Sequence, residues 1–159
     1  MGRRFLVVTV ALAALLVTAC SSGPVRRVSE PAASIQQLAV QADGSWSISL
    51  RLQNYSSIPM RFDALDLELS VDGQPAGRLR DDPALEIGPE SADVISVQMQ
   101  PDSSARMLLA DALAAGRGIG YALDGRIDAA PADRGSTRNY AVKRKSALSP
   151  TPGLPGVLR

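Results

Sequence analysis

Histidine is missing from this 159-residue chain, and cysteine occurs once, at position 20. Without an imidazole the usual acid and base of neutral pH is gone. Serine–histidine and cysteine–histidine nucleophilic pairs are therefore excluded. A single cysteine closes no disulfide within the chain. Aromatic residues make up only 4% of the sequence, too few for a base-stacking platform. Neither sign of charge dominates, with 17 basic residues against 16 acidic ones. That balance gives no electrostatic reason to expect nucleic acid or an anionic membrane surface as a partner. The Gly-x-Ser-x-Gly elbow and the phosphate-loop pattern are absent as well.

The most informative stretch is the first twenty residues. Arg3 and Arg4 precede an apolar run from Phe5 to Leu16 broken only by Thr9, and Val17-Thr18-Ala19-Cys20 closes it. Charge, apolar segment and small residues in that order form a secretory signal. The segment is short of the ~20 residues that span a bilayer comfortably, which favours cleavage over retention. Leu16 to Cys20 resembles the lipobox of bacterial lipoproteins, whose cysteine is lipidated, freed by cleavage just before it, and acylated on its new amino terminus. Cys20 is accordingly the expected lipidation site; an ordinary cleaved signal and an uncleaved anchor are the alternatives. Acyl chains at ~0.8 kcal/mol per buried methylene would hold the protein at the membrane. Ser21 follows the cysteine where an inner-membrane retention signal usually has aspartate, so resemblance to the enterobacterial sorting rule points to the outer membrane. Removing residues 1–19 leaves 15 basic and 16 acidic residues.

Residues 20–33 are polar and punctuated by Gly23-Pro24 and Glu30-Pro31, and are expected to form a flexible lipidated tether. Arg26 and Arg27 within it are read as solvated, with contact to lipid headgroups as the alternative.

From Ser34 the apolar period becomes two. Ile35 to Ala42 reads as a strand with Leu38 and Val40 on one face, and Asp43-Gly44 as a two-residue hairpin turn. Trp46, Ile48, Leu50 and Leu52 alternate with Ser47, Ser49 and Arg51, the mark of a strand with one dry face. Pro59 breaks the run. Leu65, Leu67, Leu69 and Val71 then alternate with Asp66, Glu68, Ser70 and Asp72, while Phe62 is out of phase, which predicts a bulge near Asp63-Ala64. Asp72-Gly73 is a second turn, and Gln74 to Arg80 a short edge strand.

Ala84 to Ile87 is brief and is turned by Gly88-Pro89, and Val94 to Gln100 is a strand with Ile95, Val97 and Met99 inward. Ala105 to Ala115 reads as a helix ended by Gly116, with Met107, Leu108, Ala112 and Leu113 as its apolar stripe. Ile119, Tyr121, Leu123 and Ile127 alternate again, Gly125 marking a bulge or a close backbone approach. Arg138 to Lys145 is the last expected strand, and residues 146–159, rich in proline and glycine, are expected to be disordered. The fold class that follows is mainly β: an antiparallel two-sheet sandwich over residues 34–145 with one short helix.

Carboxylates alone could still do chemistry, and Asp81-Asp82 and Glu86 with Glu90 are the candidates. Charged turns explain both more simply. Asp66, Glu68 and Asp72 share the wet face of one strand, but an extended strand splays carboxylates apart where calcium wants ~6–8 converging oxygens. Pairing with a cation such as Arg51 is the expected use of those acids. Trp46 is expected in the core. Lys143-Arg144-Lys145 is a small basic cluster whose plain reading is a solvated strand end, with headgroup or peptidoglycan contact as the alternative. No catalytic, cofactor-binding or metal residues are expected.

The order of turns between residues 34 and 145 is similar to the LEA type 2 family, which includes the water-stress and hypersensitive-response domain. Asn54 matches the first position of that family's Asn-Pro-Asn turn, with Tyr55 and Ser56 replacing the other two. Pro59 matches the later proline, Asp72-Gly73 the hairpin, Glu86 to Ser91 the inter-strand turn, and Tyr121 to Ile127 the late glycine-bearing strand. The resemblance implies a fibronectin-III-like or immunoglobulin-like sandwich that protects in desiccation or envelope stress, without catalytic residues. Two further readings stay open: an assembly module that adds a partner's strand at the edge formed by Gln74 to Arg80, and a hydrolase built on carboxylates. The expected setting is the periplasm-facing envelope, with the membrane as partner through Cys20.

Overall fold

The computed structural model describes residues 26–159. The signal segment, Cys20 and the first part of the expected tether lie outside those residues. Among the described residues nine strands and one helix follow in order: β1 (Ala32–Val40), β2 (Trp46–Gln53), β3 (Met60–Val71), β4 (Gln74–Asp81), β5 (Leu85–Ile87), β6 (Ala92–Met99), α1 (Ser103–Ala114), β7 (Ile119–Pro131), β8 (Arg138–Leu148) and β9 (Val157–Leu158). They make two antiparallel sheets, one ordered β6-β2-β1-β9 and the other β4-β3-β7-β8 with β5 also on β3. The mainly-β sandwich read from the alternation is the fold observed.

Period-two alternation fills the space between the sheets. Trp46, Ile48, Leu50 and Leu52 from one sheet and Phe62, Leu67, Leu69 and Ile127 from the other are buried in a single core. The register of β3 against β7 slips between Phe62 and Ala64, at the expected bulge, and this returns Phe62 to the inner face. Gly125 pairs with Leu67 where the backbones of β7 and β3 run close; a Cβ there would collide with the Asp66 carbonyl oxygen and lie 2.9 Å from the Leu67 Cα.

Turn chemistry sets the hairpins. Asp72 and Gly73 both have positive φ, as a two-residue type I′ turn requires. The first turn differs from expectation by one residue. Gln41 N–H donates to the Ser45 carbonyl at 2.8 Å and Gly44 N–H to the Gln41 carbonyl at 3.0 Å, with Gly44 at φ 81°. This is a three-residue loop with glycine in the left-handed position. The Asp43 carboxylate, which accepts from Ser45 N–H at 2.9 Å, ties the extra residue down.

Helix α1 ends in a Schellman arrangement, Arg117 N–H to the Ala112 carbonyl and Gly116 N–H to the Leu113 carbonyl. Its buried stripe is Ala105, Leu109 and Ala112, and Met107 is exposed. Ala112 lies in the expected stripe; Met107 is corrected to the exposed face, and Ala105 and Leu109 join the buried one. Small alanines let the helix lie close on β4 and β3, so Leu109 becomes the inserted side chain while Leu108 and Leu113 flank it.

Both termini of the domain are more ordered than their composition suggests. In the expected tail, Leu158 is fully buried, and β9 pairs with β1 at Leu38 and Ala39. On its other side, Ser149 N–H donates to the Arg159 carbonyl at 2.7 Å and Arg159 N–H returns the bond at 2.9 Å. The prolines and glycines shape the turn between those ladders. In the expected tether, Arg27 N–H donates to Ser57 Oγ and Ser29 N–H to Ser56 Oγ, both at 2.9 Å, and β1 begins at Ala32. Backbone donors meeting two loop hydroxyls hold residues 26–31 against the domain.

Candidate functional site

Two arrangements of polar side chains stand out, one inside a corner and one on a sheet face. The corner lies where the chain crosses from β2 to β3. Asn54 is buried, with its Nδ2 donating to the carbonyls of Ile58, Ile87 and Gly88 at 2.9, 3.1 and 2.8 Å. Its Oδ1 accepts from Ser56 N–H at 2.8 Å. One amide thus ties together backbone groups from two loops, with the Ile87 carbonyl and Ser56 N–H buried and the Gly88 carbonyl shared with Ser91 Oγ. Ser56, also buried, extends the network to Ser29. Arg27 adds an exposed pair with Glu90 at 3.0 Å, and Arg26 a bidentate pair with Asp133 at 2.7 and 2.8 Å. Neither arginine is a free solvated charge.

The sheet face is the water side of β4, β3, β7 and β8. Asp66 sits near its centre with a side chain only 18% exposed, 2.6 Å from Arg78 Nε, 3.4 Å from Arg80 Nε and 3.9 Å from Arg126. Glu68 pairs with Arg78 at 3.4 Å and Asp124 with Lys143 at 3.8 Å. Register puts Asp66 beside Arg80 on one side and Arg126 on the other, so charges alternate across the strands. The partners come from this sheet; Arg51 lies in the other one and donates to Gln53, which corrects the expected pairing. Asp72 serves the backbone, accepting from Gly120 N–H at 2.8 Å.

These contacts set the acid response. Partial burial pushes the Asp66 carboxyl up, but the guanidinium groups of Arg80, Arg78 and Arg126 around it outweigh that and hold the group below its usual range. The hydrogen bonds from Arg61 and Thr137 lower Asp63, and the bond from Arg26 lowers Asp133. Carboxylates depressed in the folded state stabilise it above their unfolded pKa and lose that contribution as pH falls through the folded value. The melting temperature is therefore expected to hold between roughly pH 7 and pH 5 and to fall below about pH 4, where unfolded carboxylates begin to bind protons. Circular dichroism melts across that range check it; a decline already complete by about pH 5 would contradict the assignment.

Asp81 and Asp82 line one open pocket with Asp66, Asp128 and the cations Arg80 and Arg126, and neither Glu86 nor Glu90 reaches it. Asp81 closes β4 opposite Leu65, Asp82 follows in the loop, Glu86 is opposite Arg61, and Glu90 is held by Arg27. Among the described residues no group of three or more acidic or sulfur ligands could hold a metal ion. Trp46 is fully buried, as expected. Among those residues no helix is long and apolar enough to cross a membrane. Sequence reasoning missed the work of Ser56 and of Tyr121, whose hydroxyl accepts from Ile35 N–H at 3.1 Å across the sheets. A hydroxyl beside a broken signature and an aromatic in phase with a core strand were the available hints.

Two packed antiparallel sheets, a buried asparagine corner and a face of paired charges define a small β-sandwich domain. The family model for late embryogenesis abundant protein, type 2, matches residues 49–143, more than half of the chain, and the chain belongs to that family. No curated protein matches the sequence. Among solved structures, the fold resembles the solution structure of an Arabidopsis thaliana protein, with TM-score 0.51 and 11% identity over 86% of this chain and 92% of that one. A crystal structure of an Archaeoglobus fulgidus protein aligns with TM-score 0.44 and 13% identity over 79% of this chain and 98% of that one.

Proposed function

We propose that this protein is a non-enzymatic envelope lipoprotein, anchored through Cys20, whose sandwich protects neighbouring proteins in desiccation or envelope stress. The observation that carries the reading is the family match, which falls on the sandwich and includes the Asn54 corner. The lipobox-like run ending at Cys20 supports the anchor, and Ser21 favours the outer membrane. Six peptide units separate Cys20 from Arg26, which reach at most about 20 Å. A lipid on Cys20 would thus keep the Asn54 end of the sandwich towards the bilayer and the α1 end in the periplasm. The paired charges suit the role, because the arginines and the outer acids Glu68 and Asp124 stay exposed while neutralising one another.

The test is client protection. Full-length protein in detergent micelles, at molar excess, is expected to slow light scattering from a heated or dried and rehydrated client enzyme. No slowing relative to empty micelles with an unrelated lipoprotein would count against the protective role.

The β4 edge anticipated for assembly at Gln74 to Arg80 is covered at its start only. Asp102 N–H donates to the Ala76 carbonyl at 2.9 Å, and Gly77 packs against the Met99 methyl. The segment before α1 therefore covers the start of β4.

A further inference from the structure

The opposite edge of the same sheet is arranged differently. β8 is eleven residues long and, among the described residues, pairs with β7 alone along Arg138 to Leu148. The direction of its backbone groups follows from neighbouring bonds. Asp72 N–H donates to the Gly120 carbonyl at 2.9 Å, so Gly120 faces β3. Alternation then turns Tyr121, Leu123, Gly125 and Ile127 towards β8, where they meet Ser146, Arg144, Val142 and Tyr140. The residues between, Asn139, Ala141, Lys143, Lys145 and Ala147, direct N–H and C=O away from the sheet. Ser149, next in the same phase, also points outward and there exchanges both bonds with Arg159. The pairing at Arg159 thus shows what a strand added to this edge looks like.

Charge selects the occupant. Lys143 and Lys145 project on the solvent face in the same phase as the outward backbone groups, and both are exposed. Arg144, in the inward phase, stays exposed at the seam beside β1. A second copy of β8 would set lysine against lysine, which disfavours self-pairing. A partner strand with carboxylates two residues apart would place them opposite Lys143 and Lys145, and small or apolar residues between them would face the seam.

We propose that the β8 edge from Asn139 to Ala147 is a strand-addition site for an extended acidic segment of a partner protein, its carboxylates spaced two residues apart. The site rests on the fold alone, so it stands or falls independently of the Cys20 anchor and of client protection.

The probe is a short synthetic peptide alternating valine and glutamate, titrated onto the full chain in detergent micelles. Binding is read by fluorescence anisotropy and by amide hydrogen exchange. Exchange is expected to slow at Ala141, Lys143 and Lys145. Methylating alternate peptide nitrogens is expected to weaken binding at least tenfold, or ~1.4 kcal/mol. Lys143→Pro removes an outward N–H without touching the ladder to β7 and is expected to weaken it similarly. The double variant Lys143→Glu, Lys145→Glu keeps the backbone and is expected to switch preference to a valine–lysine peptide. Equal binding of the methylated peptide would reduce the effect to charge adsorption and overturn the proposal. So would protection confined to β4 or β6, or an unchanged preference in the charge-reversed variant.

Discussion

Replacing Asn54 with alanine is expected to cost about 3–5 kcal/mol of folding stability, measured by denaturant unfolding, because it strands several buried polar groups at once. The carbonyls of Ile58, Ile87 and Gly88 lose their shared donor, and Ser56 N–H loses its acceptor. The bonds to the Ile87 carbonyl and from Ser56 N–H are buried, so water replaces them only by parting the two loops. Asn54→Asp separates this explanation from simple loss of packing. It keeps the shape and the acceptor for Ser56 but aims a carboxylate at carbonyl oxygens, and it must bind a proton to fit. The aspartate variant should therefore gain stability as pH falls from 7 to about 5, opposite in sign to the wild-type acid response. Variants within about 1 kcal/mol of wild type would show that the corner does not hold the sheets together.

The second large effect is expected at Gly125. Alanine there sets a methyl against the Asp66 carbonyl and the Leu67 Cα, atoms of the central strand β3. Backbone in the middle of a sheet has no flexible end to swing aside, so β3 and β7 must separate locally. A loss of at least about 3 kcal/mol is expected, above the usual range for a single methyl added to a packed site. Gly73→Ala is the matched control: its Cβ would meet nothing within 4 Å, and its cost comes from turn strain at φ 80° alone. Equal losses at the two sites would contradict the close-approach account.

The sandwich was legible because burial on one face writes itself into alternate residues. Trp46 to Leu52 and Leu65 to Val71 carry that pattern without a break, and even the bulge at Phe62–Ala64 shows as a change of phase. Strand β9 was not legible. Two residues, Val157 and Leu158, contain no period, and what makes them a strand is the presence of β1 and Ser149 beside them. The docked segment at Arg26 to Ser29 was hidden for the same reason, since its partners lie about 30 residues away at Ser56 and Ser57. Arg51 was assigned to the acids of β3 because both sit on wet faces, but the two sheets turn those faces in opposite directions.

The Asn54 corner shows how a degraded signature can keep its physics. Tyr55 and Ser56 replace the other residues of the family's turn, yet the amide that bridges the loops is the one residue retained. Tyr55 points outward and is half exposed, so its identity is free to vary. Ser56 is buried and has taken on the bond to Ser29, which the family pattern alone does not suggest.

The claim on which the functional account depends is that lipid on Cys20 holds this surface-acting domain at the envelope. Intact mass spectrometry of the membrane fraction, comparing wild type with Cys20→Ser, tests it most directly. The account predicts a wild-type chain that begins at Cys20 and carries acyl mass, and a serine variant that leaves the membrane or accumulates uncut. An unacylated wild-type chain, or one that retains residues 1–19, would contradict it.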